Sequence, residues 1–528
     1  MNQPQMDKLF INGVVLTQDE SRKQFKQLGV SGDKIVAVGD SLIDLAGADT
    51  QVTDLKGSVV VPGFIDAHLH FLLGGENLLA APIQNAQSKQ QLIDILSRFA
   101  GNLKSGSWIT AWGWNEHHFP DSALPHRHWL DAAAPGVPIL LYRHDGHSAV
   151  ASSIALELAG ITKDSSDPDG GVIDRDNHGE PTGILRDSAM SIVREHIPDD
   201  TEDDFERNLN AAQNYLLERG VTAVGDMLFD MRHFRFLERM ARESKLKIRI
   251  SAYTPILKWA EMKSMLDAGI YQDEWFQFKG LKGFCDGSLG SHTALMLEPY
   301  DDTPDSAGIF DTDWQNPELV EKHISEADQL GYQAVIHAIG DRANREVLNL
   351  FQSVINNNGE RDRRFRIEHA QHVHPADQDR FANLGVIASA QPAHCVDDSR
   401  YAEKLLGDRC SYAYPFKSFL RKQVSLAFGS DWPVSPADPV ATIHAALHRA
   451  NWHSEESVDF PTALSAHTRD AAYAGKRDSD LGILKPGYLA DFVIMDSRFL
   501  DINSYDSVPE DLIQAVYVSG ELMRSGTK

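Results

Sequence analysis

Eight apolar, β-branched runs recur through the middle of the chain, and they restrict its fold more than any other feature. They are VVVPGFIDAH (59–68), GVTAVGDM (220–227), KIRISAYT (247–254), LKGFCDGS (281–288), YQAVIHAIG (332–340), RFRIEHAQ (364–371), GVIASAQP (385–392) and SLAFGSDW (425–432). Most are separated by helically patterned stretches such as TEDDFERNLNAAQNYLLERG and PELVEKHISEADQLG. Thr201 and Asn316 mark helix starts there, and the acidic first turn after Thr201 suits the helix dipole. Eight parallel strands with crossover helices predict an α/β protein built on a TIM-type (β/α)8 barrel. An open doubly wound sheet is the alternative. The count of eight, and the lack of a GxGxxG loop after a strand, weigh against it.

The ends of the chain read differently. LFINGVVL, QLGVSG and KIVAVG near the start, and ADFVIMD and IQAVYVSGELM near the end, are short strands between polar turns. They predict one composite β-sandwich domain from residues 1–58 and 480–528, beside a barrel over 59–479. The interval of about 72–219 is far too long for a barrel loop. It holds extra strands, WITAWGW and PILLYRHDG, and a Gly/Asp-rich stretch, and reads as a subdomain inserted after strand one.

Composition narrows the function. A net charge of −26 argues against a nucleic-acid partner, which needs neutralising Lys and Arg. Three unpatterned cysteines, Cys285, Cys395 and Cys410, make no disulfide framework, and without a CxxC they make no cysteine zinc site. No signal peptide and no run near the ~18 apolar residues of a membrane span is found. The expectation is a cytoplasmic protein that acts on a small molecule without a membrane partner, either as a monomer or as a homo-oligomer.

Histidine, at 22 copies, is placed with purpose. Strand one ends in Asp66-Ala67-His68-Leu69-His70, and alternation points His68 and His70 to one side. A lone HxH is weak evidence. His337 and His369, however, end strands five and six, Asp431 ends strand eight, and Lys282 lies inside an apolar run on strand four. The active site of a TIM barrel occupies this end of the strands. Core histidines, and a lysine paired with Asp286 or a neighbouring carboxylate, are the bland readings. Each is plausible alone, but all of them at matching depths are not.

Here the chain resembles the amidohydrolase superfamily, in its YtcJ-like branch related to N-substituted formamide deformylases. PGFIDAHLH (62–70), DGHSA (145–149), LKGFCDGSLGSHTA (281–294), IHAIGDRAN (336–344), RIEHAQ (366–371), GSDWPV (429–434) and LGILKPGYLADFVIMD (481–496) carry the resemblance. It implies a metal-dependent hydrolase. His68 and His70 match the ligands of one divalent metal, and His337 and His369 those of a second. Lys282 matches a lysine that is carbamylated and bridges two metals in binuclear members, and Asp431 matches the strand-eight aspartate. Neutral imidazole and carboxylate suit zinc best, with one or two ions per chain; iron, manganese and nickel stay open. His292 stands where relatives often carry Arg, and Ser152 where they often carry Asn.

The expected reaction is hydrolysis of a non-peptide carbon–nitrogen bond, in a linear N-substituted amide or a cyclic amide. Asp431 takes a proton from water and passes it to the leaving nitrogen. Asp145, His147, His292 and His394 are substrate-binding candidates. For Asp145 and His147 an Asx-type turn competes with that role. Trp112, Trp114, His117 and His118 line a pocket or fill the subdomain core. Cys285 reads as core filler. Ester, lactone or phosphoester hydrolysis at the same site is an alternative. A barrel that has lost its chemistry is disfavoured, because no member of the ligand set is missing.

Overall fold

The computed structural model describes residues 6–525, apart from 102, 104 and 105. Eight parallel strands form its central sheet: β1 (Phe64–Leu69), β2 (Val221–Met227), β3 (Arg249–Pro255), β4 (Phe276–Phe284), β5 (Gln333–Ala338), β6 (Arg366–His369), β7 (Ile387–Ala390) and β8 (Leu426–Phe428). They pair in sequence order from β1 to β8. Past the end of β8 the sheet turns back on β1. Asp431 donates its backbone N–H to the His68 carbonyl at 2.7 Å, and Ser430 donates to Asp66 Oδ1 at 3.0 Å. Gly429 allows this approach: a Cβ there would meet the His68 nitrogen at 2.6 Å. The architecture is the TIM-type barrel read from the sequence.

Two strand assignments need correction. The run 59–68 divides at Gly63, where a Cβ would meet Thr222 Oγ1 at 2.1 Å. Val59–Pro62 joins a separate six-stranded sheet, and only Phe64–Leu69 enters the barrel. Strand four begins at Phe276, not at 281, because Phe276 and Phe278 are already buried. It ends before Asp286, whose carboxylate accepts the backbone N–H groups of Leu295, Ile339 and Gly340 and so draws the chain into a loop.

The six-stranded sheet takes strands from both chain ends. Val59–Pro62 lies between Val14–Leu16 and Phe492–Met495, and Ile513–Val518 and Glu521–Ser525 extend it. With a four-stranded sheet from residues 8–54 it encloses a core that includes Phe10, Val15, Leu28, Val60 and Phe492. A buried ion pair, Arg249 Nε to Asp491 Oδ2 at 2.7 Å, ties β3 to the returning C-terminal segment.

After β1 the chain builds a five-stranded sheet from Ile109–Trp114, Ile139–Arg143, Ser148–Ala151, Gly171–Arg175 and Pro181–Asp187. Each of its faces has its own apolar cluster. The helix Glu202–Glu218 falls inside the interval read as the insert, but it packs with the barrel. Phe205, Leu209, Ala212 and Leu216 join the barrel's main apolar cluster. Thr201 caps that helix in a reciprocal box with Asp204, and Asn316 caps Pro317–Gln329 through its side chain. Among the described residues no helix is long and apolar enough to cross a membrane.

Candidate metal centre and active site

The C-terminal ends of the barrel strands open into a cavity of about 600 Å³. His68, His70, Lys282, His337, His369 and Asp431 all line it, and all six are buried. Two of them stand on unusual backbone. His369 has φ of 73° and Asp431 of 58°, in the left-handed region that non-glycine residues rarely adopt. Such geometry persists only where the surrounding fold enforces it, and it turns both side chains inward.

The hydrogen bonds around each imidazole settle which nitrogen faces the cavity. His68 donates Nδ1–H to Glu368 Oε2 at 2.5 Å, and His70 donates Nδ1–H to the Met227 carbonyl at 2.7 Å. Both therefore present an Nε2 lone pair. Those two nitrogens each lie 3.2 Å from Asp431 Oδ1, itself an acceptor. His369 donates Nδ1–H to Gln391 Oε1 at 2.8 Å, and His337 donates Nε2–H to the Gly287 carbonyl at 3.1 Å. Their remaining nitrogens carry lone pairs as well. The rings of His337 and His369 stand 4.4 Å apart, and those of His68 and His369 5.0 Å.

With all four rings neutral, acceptors converge with no donor between them. A cation reconciles such an arrangement, and the donor set of neutral imidazoles plus one carboxylate fits a divalent metal. Burial holds His70, His337 and His369 below the ordinary histidine range, which keeps them neutral. For His68, burial and Lys282 oppose protonation, but Asp431 and Glu368 outweigh them and raise it.

Lys282 completes the ring of strand ends. Its Nζ is buried, has no hydrogen-bond partner, and sits 4.4 Å over the Phe284 ring. The pairing with Asp286 weighed from sequence does not occur, since that carboxylate is taken by three backbone N–H groups. Burial pushes the amine down to about 8, against the pull of Glu368 and Asp431.

The weaker candidates separate. Asp145, His147 and His394 line the cavity. Asp145 also makes the Asx-type turn, accepting from the His147 backbone at 3.2 Å, and it accepts from Ser288 Oγ at 2.8 Å. His147 is held by Asp187 at 3.0 Å; burial lowers it, but Asp187 and Asp145 overcome that and raise it to about 9. His292 is absent from the cavity wall, because its ring pairs with Asp302 at 3.0 Å and packs on Tyr300. Trp112 lines the cavity, whereas Trp114 is buried in the subdomain core and donates to the Leu141 carbonyl. Cys285 is fully buried and burial pushes its thiol up, as befits core filler.

A family model described as the amidohydrolase family matches residues 51–523. The chain belongs to the amidohydrolase family. Protein LONG AFTER FAR-RED 3 of Arabidopsis thaliana is 38% identical over 539 aligned positions, covering 98% of this chain and 91% of its own. Putative amidohydrolase YtcJ of Bacillus subtilis (strain 168) is 31% identical over 467, covering 85% of each chain. The N-substituted formamide deformylase of Arthrobacter pascens is 26% identical over 540, covering 98% of each. An uncharacterized metal-dependent hydrolase from Pyrococcus horikoshii OT3 superposes with a TM-score of 0.76 at 30% identity, over 93% of this chain and 97% of that one. This amidohydrolase is therefore a hydrolase, and the Pyrococcus structure it resembles is that of a metal-dependent one.

Sequence reading passed over the groups that orient this amidohydrolase's histidines. Glu368 links His68 to Arg366, whose Nε donates to Glu368 Oε1 at 2.8 Å, and all three are buried. Burial alone would raise the Glu368 carboxyl, but Arg366 and His68 outweigh it and hold it well below the usual range. Gln391 does the same service for His369. The available signal was a charged Arg366-x-Glu368 pair inside an apolar run, which only a buried network explains.

Proposed function

We propose that the protein hydrolyses a non-peptide carbon–nitrogen bond, in a linear N-substituted amide or a cyclic amide, with divalent metal at the barrel mouth. The observation that carries this reading is the convergence of His68 Nε2 and His70 Nε2, each 3.2 Å from Asp431 Oδ1, in one buried cluster. His68, His70 and Asp431 would hold one ion, and His337 and His369 a second. Zinc suits these nitrogen and oxygen donors best. Bound there, the metal supplies Lewis-acid polarisation of the carbonyl and eases deprotonation of water near neutral pH.

Asp431 acts as the proton carrier. Its carboxylate accepts the proton that the attacking water loses. It returns that proton to the nitrogen as the carbon–nitrogen bond breaks, so that a neutral amine departs. His147 and Asp145, on the subdomain wall, contact the substrate. The kinship to an N-substituted formamide deformylase favours an acylated or formylated amine over an ester. A screen of N-formyl and N-acyl amines with zinc-loaded protein tests the reading, and an activity confined to esters or phosphoesters rejects it.

Metal content checks the site directly. Protein loaded with zinc and desalted is expected to hold one or two equivalents per chain. Chelation should abolish turnover, and added zinc should restore it. Well under one equivalent would remove the site from consideration.

Lys282 is expected to be carbamylated. Its neutral amine would add to carbon dioxide, forming an N–C bond as one C–O π bond opens and releasing one proton, and the resulting carboxylate would offer oxygen ligands to the metal that the histidines hold. An unpartnered, buried amine with a depressed pKa suits that step. Density ending at Nζ in a crystal with both metals bound would refute it. Lys282→Ala should lose activity and regain part of it with added short carboxylic acids.

A further inference from the structure

His394 is wired in the opposite sense from the four histidines proposed to hold metal. His394 lies in the turn after β7, on the helix Pro392–Asp398, and its ring stands 6.0 Å from that of His369, nearly parallel to it. A ring nitrogen of His394, one of His369 and an Asp431 oxygen lie within 4.8 Å of one another. Distance alone would make this a further cation site.

The hydrogen bonds argue otherwise. The buried Gln371 amide donates its Nε2–H to His394 Nδ1 at 3.4 Å. The lone pair of the ring is thereby used on Nδ1, and the proton of the neutral ring sits on Nε2. That Nε2 is buried, has no hydrogen-bond partner, and belongs to a cavity-lining residue. His68, His70, His337 and His369 turn lone pairs inward; His394 turns a donor inward.

We infer that His394 is a catalytic hydrogen-bond donor to the substrate's carbonyl oxygen, and that Gln371 is the positioning residue that fixes its tautomer. This rests on the amide-hydrolase reading above. When water adds to the carbonyl carbon, the π pair moves to oxygen, and an unpartnered N–H beside Asp431 is placed to stabilise that charge. His394 keeps its proton throughout. The pair returns from oxygen to carbon as the carbon–nitrogen bond breaks, and Asp431 supplies the proton to nitrogen. No other group of the protein engages that Nε2–H, so it is free to meet the reacting carbonyl.

The test uses full-length, zinc-loaded protein. His394→Ala is expected to keep every metal equivalent, to lose about 10²–10³ in kcat on any N-acyl amine the wild type hydrolyses, and to change KM little. In protein carrying ¹⁵N-histidine, the His394 signals, assigned by their loss in His394→Ala, should show a protonated Nε2 and a bare Nδ1. Gln371→Leu should mix the two tautomers in that spectrum and lower kcat by about 10-fold while the metal stays. A metal equivalent lost in His394→Ala makes His394 a ligand and overturns the inference; so does a bare Nε2, or an unchanged kcat. Failure of the wild type to hydrolyse any acylated amine strikes the reading beneath it, whereas the metal count and the nitrogen spectrum judge His394 without a substrate.

Discussion

Asp431→Asn is expected to hold its metal and to lose about 10²–10⁴ in turnover, the usual worth of a general acid–base group. The amide oxygen of Asn can still approach a cation, but it neither accepts nor delivers a proton at neutral pH. The left-handed backbone at 431 favours the substitution, since Asn tolerates that region as well as Asp does. Loss of activity would therefore report on the proton, not on misfolding. Metal equivalents and kcat must be measured on the same preparation. A variant with full metal and near-normal kcat would show that the proton travels by another route, and His147 would be examined next.

Glu368→Gln is expected to have the largest effect on stability. Glu368 and Arg366 are wholly buried, and the carboxylate serves Arg366 and His68 at once. Neutralising one side of such a pair leaves a buried guanidinium without its countercharge, which costs about 3–5 kcal/mol. His68 also loses the acceptor that fixes its tautomer, so metal affinity should fall about 10–100-fold. The pH dependence has a definite sign. The folded carboxyl is held below its ordinary value of 4.5, so its contribution is complete above that pH and fades as the medium is acidified. The stability gap between wild type and variant, measured by urea unfolding of metal-free protein, should be full at neutral pH and shrink progressively as the pH falls below about 4.5. A gap that stayed constant into acid would show that the charge of Glu368 carries none of the effect.

Much of this site was legible in the chain because strand alternation and barrel topology are local rules with a global result. His68, His70, His337, His369, Asp431 and Lys282 each end or interrupt an apolar run, and a closed parallel sheet brings all such ends to one face. The supporting residues were harder to find, because their partners are remote. Glu368 meets a ring 300 positions away, and Gln391 and Gln371 act through single contacts that no periodicity encodes. His292 misled for a related reason. It follows a motif that enters the cavity, but the next turn carries it to Asp302. The boundary at Gly63 was hidden because the apolar run continues without a break while the chain passes from one sheet to another.

That passage has a consequence for how the protein is made. Val59–Pro62 is fully buried, and its neighbour on one side, Phe492–Met495, leaves the ribosome only about 430 residues later. At ~5–20 residues per second that is a wait of roughly 20–90 s. Throughout it, an apolar β-branched edge has no partner, and edges of that kind pair with whatever strand they meet. The barrel can assemble during synthesis, strand upon neighbouring strand, but the sheet beneath it can be finished only near the end. Shelter for the first sixty residues during that wait is expected to raise the yield of folded protein.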